Sequence, residues 1–291
     1  STERPNFRSH PCVALAPGIV SVLMDVLLTK HHGLENDFLV YNLAQGEPTA
    51  AWSDIAQRLC NRSTGIGADG LLLLSIGEGN ALTMRLYNAD GSVAEMSGNG
   101  IRCLVQAAHS LLQNNVGTTY QVRTDAGMRE VTVVAQEDAD TLLLSVDMGV
   151  VSPLPEPENW AALECDPMRP VSHVSLGNPH SVVGVEDVSM VDLKRLGELV
   201  PHVNLEIVEP GPGTNAITMR VHERGAGITR ACGTGACAAA DAALRWGLVP
   251  ASVREVIVHM DGGTARVHVS NESVATLTGP AVLIGSMSVS V

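Results

Sequence analysis

A duplicated segment constrains this 291-residue chain more than any other feature of its sequence. Residues 82–100 (LTMRLYNADGSVAEMSGNG) align without a gap on residues 217–235 (ITMRVHERGAGITRACGTG), which places Ser97 opposite Cys232. Each copy starts with the apolar–polar alternation of a strand that has one buried face. A glycine-containing loop and a Gly-x-Gly motif follow. Two such units can hold a ligand between them, with one reactive group on each side.

Helical periodicity begins directly after both Gly-x-Gly motifs. Apolar residues recur at helical spacing over residues 101–112 and 236–244. The first turn of a helix carries unpaired N–H groups and the positive end of the dipole, so it can bind a carboxylate. The same position lowers the pKa of a thiol, and Cys232 is therefore predicted to be a base or nucleophile at neutral pH. Cys103 and Cys237 lie on the apolar stripes and are predicted to be inert.

Three other interpretations of Cys232 have weaker support. A thiol hydrolase would pair Cys232 with His180, but no third orienting residue stands at a recognisable spacing. Pyridoxal phosphate chemistry needs a Schiff-base lysine, and the two lysines, Lys30 and Lys194, lie in no motif of that kind. A small buried residue at a tight turn is the third. The sequence favours acid–base chemistry without a cofactor.

Composition narrows the classes of partner. The net charge is −13 and no run of Lys or Arg occurs, so neither nucleic acid nor an anionic membrane surface is an expected partner. Six irregularly spaced cysteines predict no disulfide framework and a reducing, cytoplasmic setting. No motif for a metal site is present. The adjacent His31 and His32 are predicted to be surface or loop residues.

The remaining chain reads as short strands separated by turn residues, which predicts an α+β fold in two similar halves. Residues 1–24 are predicted to be an N-terminal extension, residues 25–41 the first strand and turn, and residues 153–170 a proline-rich loop. Further helices are predicted over residues 51–62 and 191–200. Besides the two duplicated strands, strands are predicted over residues 71–75, 120–124, 130–135, 142–148, 171–176, 181–185, 204–208, 253–259, 264–269 and 274–278.

Six segments together resemble the diaminopimelate epimerase family, whose members are cofactor-independent amino-acid epimerases. They follow the order of the family over about residues 26–291, and the last segment is long and specific. The segments are HHGLENDF (31–38), GIGADG (65–70), YNADGS to SGNGIRC (87–103), GNPH (177–180), VN (203–204) and ERGAGITRACGTGA (223–236).

The resemblance implies two pseudo-symmetric lobes, each a curved, barrel-like mixed sheet wrapped around a central helix. Lobe 1 would comprise residues 25–141 and 279–291, and lobe 2 residues 142–278. The substrate, a small amino acid, would lie between them, and a homodimer is compatible with the family. The implied reaction converts LL-diaminopimelate to the meso isomer in lysine biosynthesis. Two cysteines act, one removing the α-proton while the other delivers a proton to the opposite face.

Individual residues take their implied roles from the matching motifs. Cys232 matches the second catalytic cysteine, and His180 is expected to orient the site. The amides that hold the reacting carboxylate match Gly98, Asn99, Gly233 and Thr234. The residues that read the distal amino-acid end match Asn88, Asn204, Glu223 and Arg224, and further polar contacts match Asn36 and Asn178.

Ser97 departs from the family, because it stands at the first catalytic cysteine. A serine hydroxyl is far less acidic than a thiol and cannot rest as a base at neutral pH, so two-base epimerisation is expected to be impaired. Ser97 could be an introduced Cys→Ser change, a natural proton donor to one face, or the mark of a diaminopimelate-binding protein without catalysis. A proline-racemase-like epimerase or dehydratase is a further alternative.

Overall fold

The computed structural model describes residues 25–290. Within them, four α-helices and seventeen strands follow one another along the chain. The helices are α1 (Trp52–Cys60), α2 (Gly98–Leu112), α3 (Leu193–Leu199) and α4 (Gly233–Trp246). The strands are β1 (Asp25–Gly33), β2 (Asn36–Asn42), β3 (Gly70–Ile76), β4 (Ala81–Asn88), β5 (Val93–Ala94), β6 (Thr119–Thr124), β7 (Gly127–Gln136), β8 (Thr141–Val150), β9 (Ser152–Pro153), β10 (Val171–Ser175), β11 (Pro179–Gly184), β12 (Asn204–Pro210), β13 (Ala216–Glu223), β14 (Gly227–Thr229), β15 (Glu255–Met260), β16 (Gly263–Val269) and β17 (Val274–Ser290).

The strands close into two rings that share one ladder. The first ring runs β1-β2-β3-β4-β6-β7-β8 and returns to β1 through the second half of β17. The second runs β10-β11-β12-β13-β15-β16 and the first half of β17, then through β8 and its continuation β9 back to β10. The antiparallel β8–β17 ladder is common to both rings.

The two halves repeat the same connections. In the first ring β2 pairs with β3 and β4 with β6 in parallel, and in the second β11 pairs with β12 and β13 with β15 in parallel. All other pairings in the sheet are antiparallel. Helix α2 packs into the first ring and α4 into the second. The predicted class, α+β with two pseudo-symmetric barrel-like lobes around central helices, is confirmed.

The apolar stripes predicted for α2 and α4 are buried in one continuous core. Ile101 and Leu104 of α2 and Ala236 and Ala240 of α4 are fully buried and belong to the same cluster of apolar residues. Cys103 and Cys237 lie in this core, and burial raises the pKa of both thiols. This agrees with their prediction as inert residues.

The strands differ most from the sequence-based expectations at three places. Residues 25–41, expected to form a strand and a turn, form the β1–β2 hairpin, so the turn is confined to Leu34 and Glu35, both with positive φ. The last strand, expected over residues 274–278, continues to Ser290 because its second half pairs with β1. Strand β15 starts at Glu255 and not at residue 253.

The N-terminal extension predicted for residues 1–24 lies outside the described residues. The lobe boundaries predicted at residues 141/142 and 278/279 remain a prediction. No helix within residues 25–290 is long and apolar enough to span a membrane.

The prediction for His31 is wrong. Its side chain is buried in β1, where Nδ1 lies 2.8 Å from Gln106 Oε1 and Nε2 lies 2.8 Å from Thr29 Oγ1. Because the amide nitrogen of Gln106 donates to Asp140 O, its oxygen is free to accept from His31 Nδ1. Burial lowers the pKa of His31 to about 4, so the ring is neutral at physiological pH.

Candidate active site

Ser97 and Cys232 cap the two central helices in the same way. Both residues have extended backbone angles, φ −141° and ψ 122° for Ser97 and φ −130° and ψ 116° for Cys232. Ser97 Oγ accepts the N–H of Gly100 at 3.0 Å, and Cys232 Sγ accepts the N–H of Gly235 at 3.4 Å. Ser97 Oγ and Cys232 Sγ therefore each lie at the positive end of a helix.

The two helix starts lie in direct backbone contact. A Cβ atom built on Gly233 would lie 3.1 Å from Gly98 Cα, and one built on Gly98 would lie 3.3 Å from Gly233 Cα. Only glycine lets the first turns approach this closely. Ser97 and Cys232, each one residue ahead of these glycines, are consequently held on either side of the contact.

A cleft of about 830 Å³ lies over the two helix starts. The structure brings together at this cleft every residue predicted for the site except His180. The lining residues that were predicted are Asn36, Asn88, Ser97, Gly98, Asn99, Asn178, Asn204, Glu223, Arg224, Cys232, Gly233 and Thr234.

The environment of Cys232 contradicts the expected lowering of its pKa. The pKa of the Cys232 thiol is raised well above its usual value, chiefly because the side chain is buried, and further by the nearby Glu223 and Glu206 carboxyl groups. Hydrogen bonds from Thr234 and the Gly235 N–H oppose this shift but do not overcome it. Cys232 is therefore expected to be a thiol in the unliganded site.

Glu223 lies beside Cys232. Its carboxyl group acts electrostatically on the Cys232 thiol, and Thr229 Oγ1 donates to its Oε1 at 2.5 Å. Burial raises the pKa of Glu223. The structure thus places Glu223 next to the reactive sulfur, whereas the neighbouring Arg224 is exposed at the cleft. Asn204 Oδ1 accepts the Arg224 N–H at 2.8 Å and so holds this turn.

His180 lies behind the cleft and is fully buried. Its Nε2 lies 3.0 Å from Asn178 Oδ1, and Asn178 Nδ2 donates to Thr234 Oγ1 at 3.3 Å. Thr234 Oγ1 in turn lies 3.5 Å from Cys232 Sγ. This chain of contacts connects the imidazole with the thiol through two side chains.

Sequence reasoning missed Glu206, the partner of His180. Glu206 is fully buried, and its Oε1 lies 2.7 Å from His180 Nδ1. Its Oε2 has no hydrogen-bond partner among the described residues, and burial raises the pKa of the carboxyl group. The one signal in the sequence is a glutamate within the apolar run NLEIV of residues 204–208.

A family model described as diaminopimelate epimerase matches residues 28–153 and 172–284 of the chain. The diaminopimelate epimerase of Synechococcus elongatus is 38% identical over 288 residues, which cover 91% of this chain and 99% of that protein. The chain belongs to the diaminopimelate epimerase family. Membership of this family makes it an isomerase of the epimerase class.

Solved structures show how far the fold of the diaminopimelate epimerase family extends. A predicted epimerase from Pseudomonas aeruginosa superposes with a TM-score of 0.71 at 14% identity, covering 91% of this chain and 99% of that one. A hydroxyproline epimerase from Agrobacterium vitis superposes with a TM-score of 0.62 at 16% identity, covering 91% of each chain. At these identities the likeness concerns the fold alone.

Proposed function

We propose that the protein is a cofactor-independent epimerase that converts LL-diaminopimelate to the meso isomer, and that Ser97 slows this reaction. The observation that carries the proposal is the pair of reactive caps, Ser97 and Cys232, on two abutting helix starts at one cleft. Such a site can reach both faces of one carbon atom. A reducing compartment such as the cytoplasm would keep Cys232 as a thiol.

The substrate α-carboxylate would bind to the first-turn N–H groups of the two helices, at Gly98, Asn99, Gly233 and Thr234. These residues line the cleft and lie at the positive ends of both helix dipoles, so their N–H groups would also stabilise the carbanion formed when the α-proton leaves. At the other end of the substrate, Arg224 could bind the distal carboxylate through a bidentate contact. Asn36, Asn88 and Asn178 would supply polar contacts.

Inversion needs one proton removed from one face and one delivered to the other. In the direction in which Cys232 is the base, its thiolate takes the α-proton and the hydroxyl of Ser97 gives a proton to the opposite face, leaving an alkoxide that must be reprotonated. In the reverse direction Ser97 would have to be the base. Because a serine alkoxide is much harder to form than a thiolate, one of the two transfers is slow in either direction.

The test follows α-proton exchange and inversion of LL-diaminopimelate in D₂O by NMR. The wild type is expected to exchange the α-proton faster than it inverts the centre. Ser97→Cys is expected to raise epimerisation by about a hundredfold or more, the scale of a restored acid–base group. Cys232→Ala should abolish exchange, and Cys165→Ser, which alters a thiol outside the cleft, should change neither rate.

Two results would contradict the proposal. Epimerisation that stays unchanged in a folded Ser97→Cys variant, with the ligand still bound, would exclude a two-sided mechanism at these residues. Binding of diaminopimelate without exchange in any variant would identify a binding protein.

A further inference from the structure

Arg102, on the second turn of α2, is a fully buried cation without a counter-charge. None of the carboxylates of residues 25–290 forms an ion pair with it within 4.0 Å. Burial lowers the pKa of its guanidinium to about 10, which still leaves it charged at neutral pH. A buried charge without a counter-charge is unfavourable for folding, so a functional reason for it is expected.

Three neutral acceptors bind the guanidinium, and two of them belong to residues of the candidate site. Nη1 donates to Gly98 O at 2.9 Å and Nη2 donates to Asn99 Oδ1 at 2.8 Å, while Nε donates to Pro280 O at 3.1 Å. The carbonyl of Gly98 and the N–H of Asn99 belong to one trans peptide and point in opposite directions. A cation on the Gly98 carbonyl therefore polarises the N–H of Asn99, a residue that lines the cleft.

The same contact orients a row of side-chain amides. Arg102 can only donate, so it fixes Oδ1 of Asn99 toward itself and leaves Nδ2 to donate to Asn36 Oδ1 at 3.2 Å. Asn36 Nδ2 in turn donates to Asp69 Oδ2 at 2.6 Å, and a carboxylate can only accept. With a fixed donor at one end and a fixed acceptor at the other, neither amide can flip.

The charge is confined to one side of the pseudo-symmetric site. In the alignment of the two halves, Arg102 stands opposite Cys237, an apolar core residue of α4. Two glycines make room for the guanidinium, because a Cβ on Gly33 would lie 3.0 Å from Nη2 and one on Gly279 would lie 3.2 Å from Cζ. The buried cation therefore belongs to the helix that Ser97 caps, and the helix that Cys232 caps has no counterpart at the aligned position.

We propose that Arg102 is a positioning residue for the substrate carboxylate. Arg102 holds and polarises the Gly98–Asn99 peptide and fixes the Asn99 amide. Its buried positive charge also stabilises the negative charge that forms on the substrate when the α-proton leaves. This inference rests on the proposed function. Since the carboxylate gains charge during proton removal, losing Arg102 should slow turnover more than it weakens binding.

The test measures the turnover number for α-proton exchange and the dissociation constant of diaminopimelate in the wild type and in the Ser97→Cys variant. Arg102→Gln is expected to lower the turnover number at least tenfold and to weaken binding by a smaller factor. Arg102→Lys, which keeps the charge but not the planar fork, should recover part of the turnover number. Thermal unfolding reports whether each variant is folded.

A gentler variant keeps the inference testable if Arg102→Gln does not fold. The three atoms nearest to a new Cβ at Gly279 all belong to the guanidinium, so Gly279→Ala is expected to displace this group and to lower the turnover number several-fold. Gly285→Ala, on the same strand with no atom within 4 Å of the new methyl group, is the matched control and should leave it unchanged.

The outcomes separate the two proposals. If the folded wild type and Ser97→Cys enzymes show no exchange, the proposed function fails and this inference falls with it. If exchange occurs but is insensitive to Arg102→Gln and Gly279→Ala, or if Arg102→Lys is no better than Arg102→Gln, only the role of Arg102 is overturned.

Discussion

Buried ionisable side chains in this protein differ in how their burial is compensated. His31 avoids the cost by staying neutral between Gln106 and Thr29. Glu206 meets it by contacting His180 Nδ1 at 2.7 Å, and burial raises the pKa of the Glu206 carboxyl group. Arg102 remains charged on neutral acceptors. At the residue scale, the buried charge of Arg102, which has no counter-charge, therefore lies next to the two helix starts.

His31 should make stability depend on pH. Its pKa is about 4 when folded and 6.5 ordinarily, so between pH 6.5 and 4 the unfolded chain binds a proton that the folded chain does not. The free energy of unfolding should fall by about 3 kcal/mol over that window as pH decreases. In His31→Gln, urea unfolding from pH 7 to pH 4.5 should show a smaller decline than in the wild type.

The matched control is His268→Gln, which alters an exposed histidine and should decline as the wild type does. Asp37, whose pKa is lowered by Arg62 and Lys30 against the opposing effect of burial, loses its ion pairs at low pH in all three proteins, so the difference between them isolates His31. An equal decline in His31→Gln and the wild type would contradict the assignment.

At the element scale, the paired starts of α2 and α4 pack backbone against backbone. Gly98 and Gly233 allow the contact, and Leu277 from the shared strand β17 covers it. A Cβ on Gly233 would lie 3.0 Å from Leu277 Cδ2 and 3.1 Å from Gly98 Cα, and the second of these is backbone that cannot turn aside. The geometry of the site thus requires a residue without a Cβ atom at position 233.

Gly233→Ala is expected to destabilise the protein by about 1–3 kcal/mol, the usual cost of overpacking a core. Urea unfolding at pH 7.5 measures the change, with Gly285→Ala as a control expected within about 0.5 kcal/mol of the wild type. Equal stability of the two variants would show that the helix starts can separate freely.

The sequence predicts those elements whose signals are local. The helices α2 and α4 follow from a Gly-x-Gly start and an apolar stripe, both within one segment, and the site residues follow from motifs around them. Strand β2 was not predicted because it begins with the polar residues Asn36 and Asp37. The second half of β17 was not predicted because its partner β1 lies far away in the sequence.

The burial of Glu206 was not predicted, for a different reason. One glutamate in a strand normally marks an exposed face. Here β12 contacts both α3 and α4, and its first five residues are all buried. The strand therefore has no exposed face for a glutamate to occupy. The raised pKa of Cys232 was missed for a related reason: burial dominates it, and the carboxyl groups that add to it lie on β12 and β13 and not on its own helix.

At the scale of the whole molecule, the β8–β17 ladder couples the two halves. Its pairing runs from Val274↔Val150 to Val282↔Thr141, and each strand then continues to close a different ring. Neither ring is complete without strands that the other also uses. The fold is therefore expected to unfold as one cooperative unit.

Tryptophans on both sides can test this. Trp52 starts α1 beside the first ring, and Trp246 ends α4 in the second. In Trp160→Phe/Trp246→Phe only Trp52 remains, and in Trp52→Phe/Trp160→Phe only Trp246 remains. Within each variant, the urea unfolding curves from fluorescence and far-UV circular dichroism should coincide. A fluorescence transition displaced from the circular dichroism curve in either variant would show that the halves unfold separately.

The continuation of β17 onto β1 also sets an order for folding during synthesis. Residues 282–290 complete the ring that residues 25–33 begin, so the first ring cannot close until its last strand has left the ribosome. Until then one edge of β1 lacks its partner strand, and unpaired strand edges promote association with other chains. The half that is translated first should therefore be the one that depends most on chaperones.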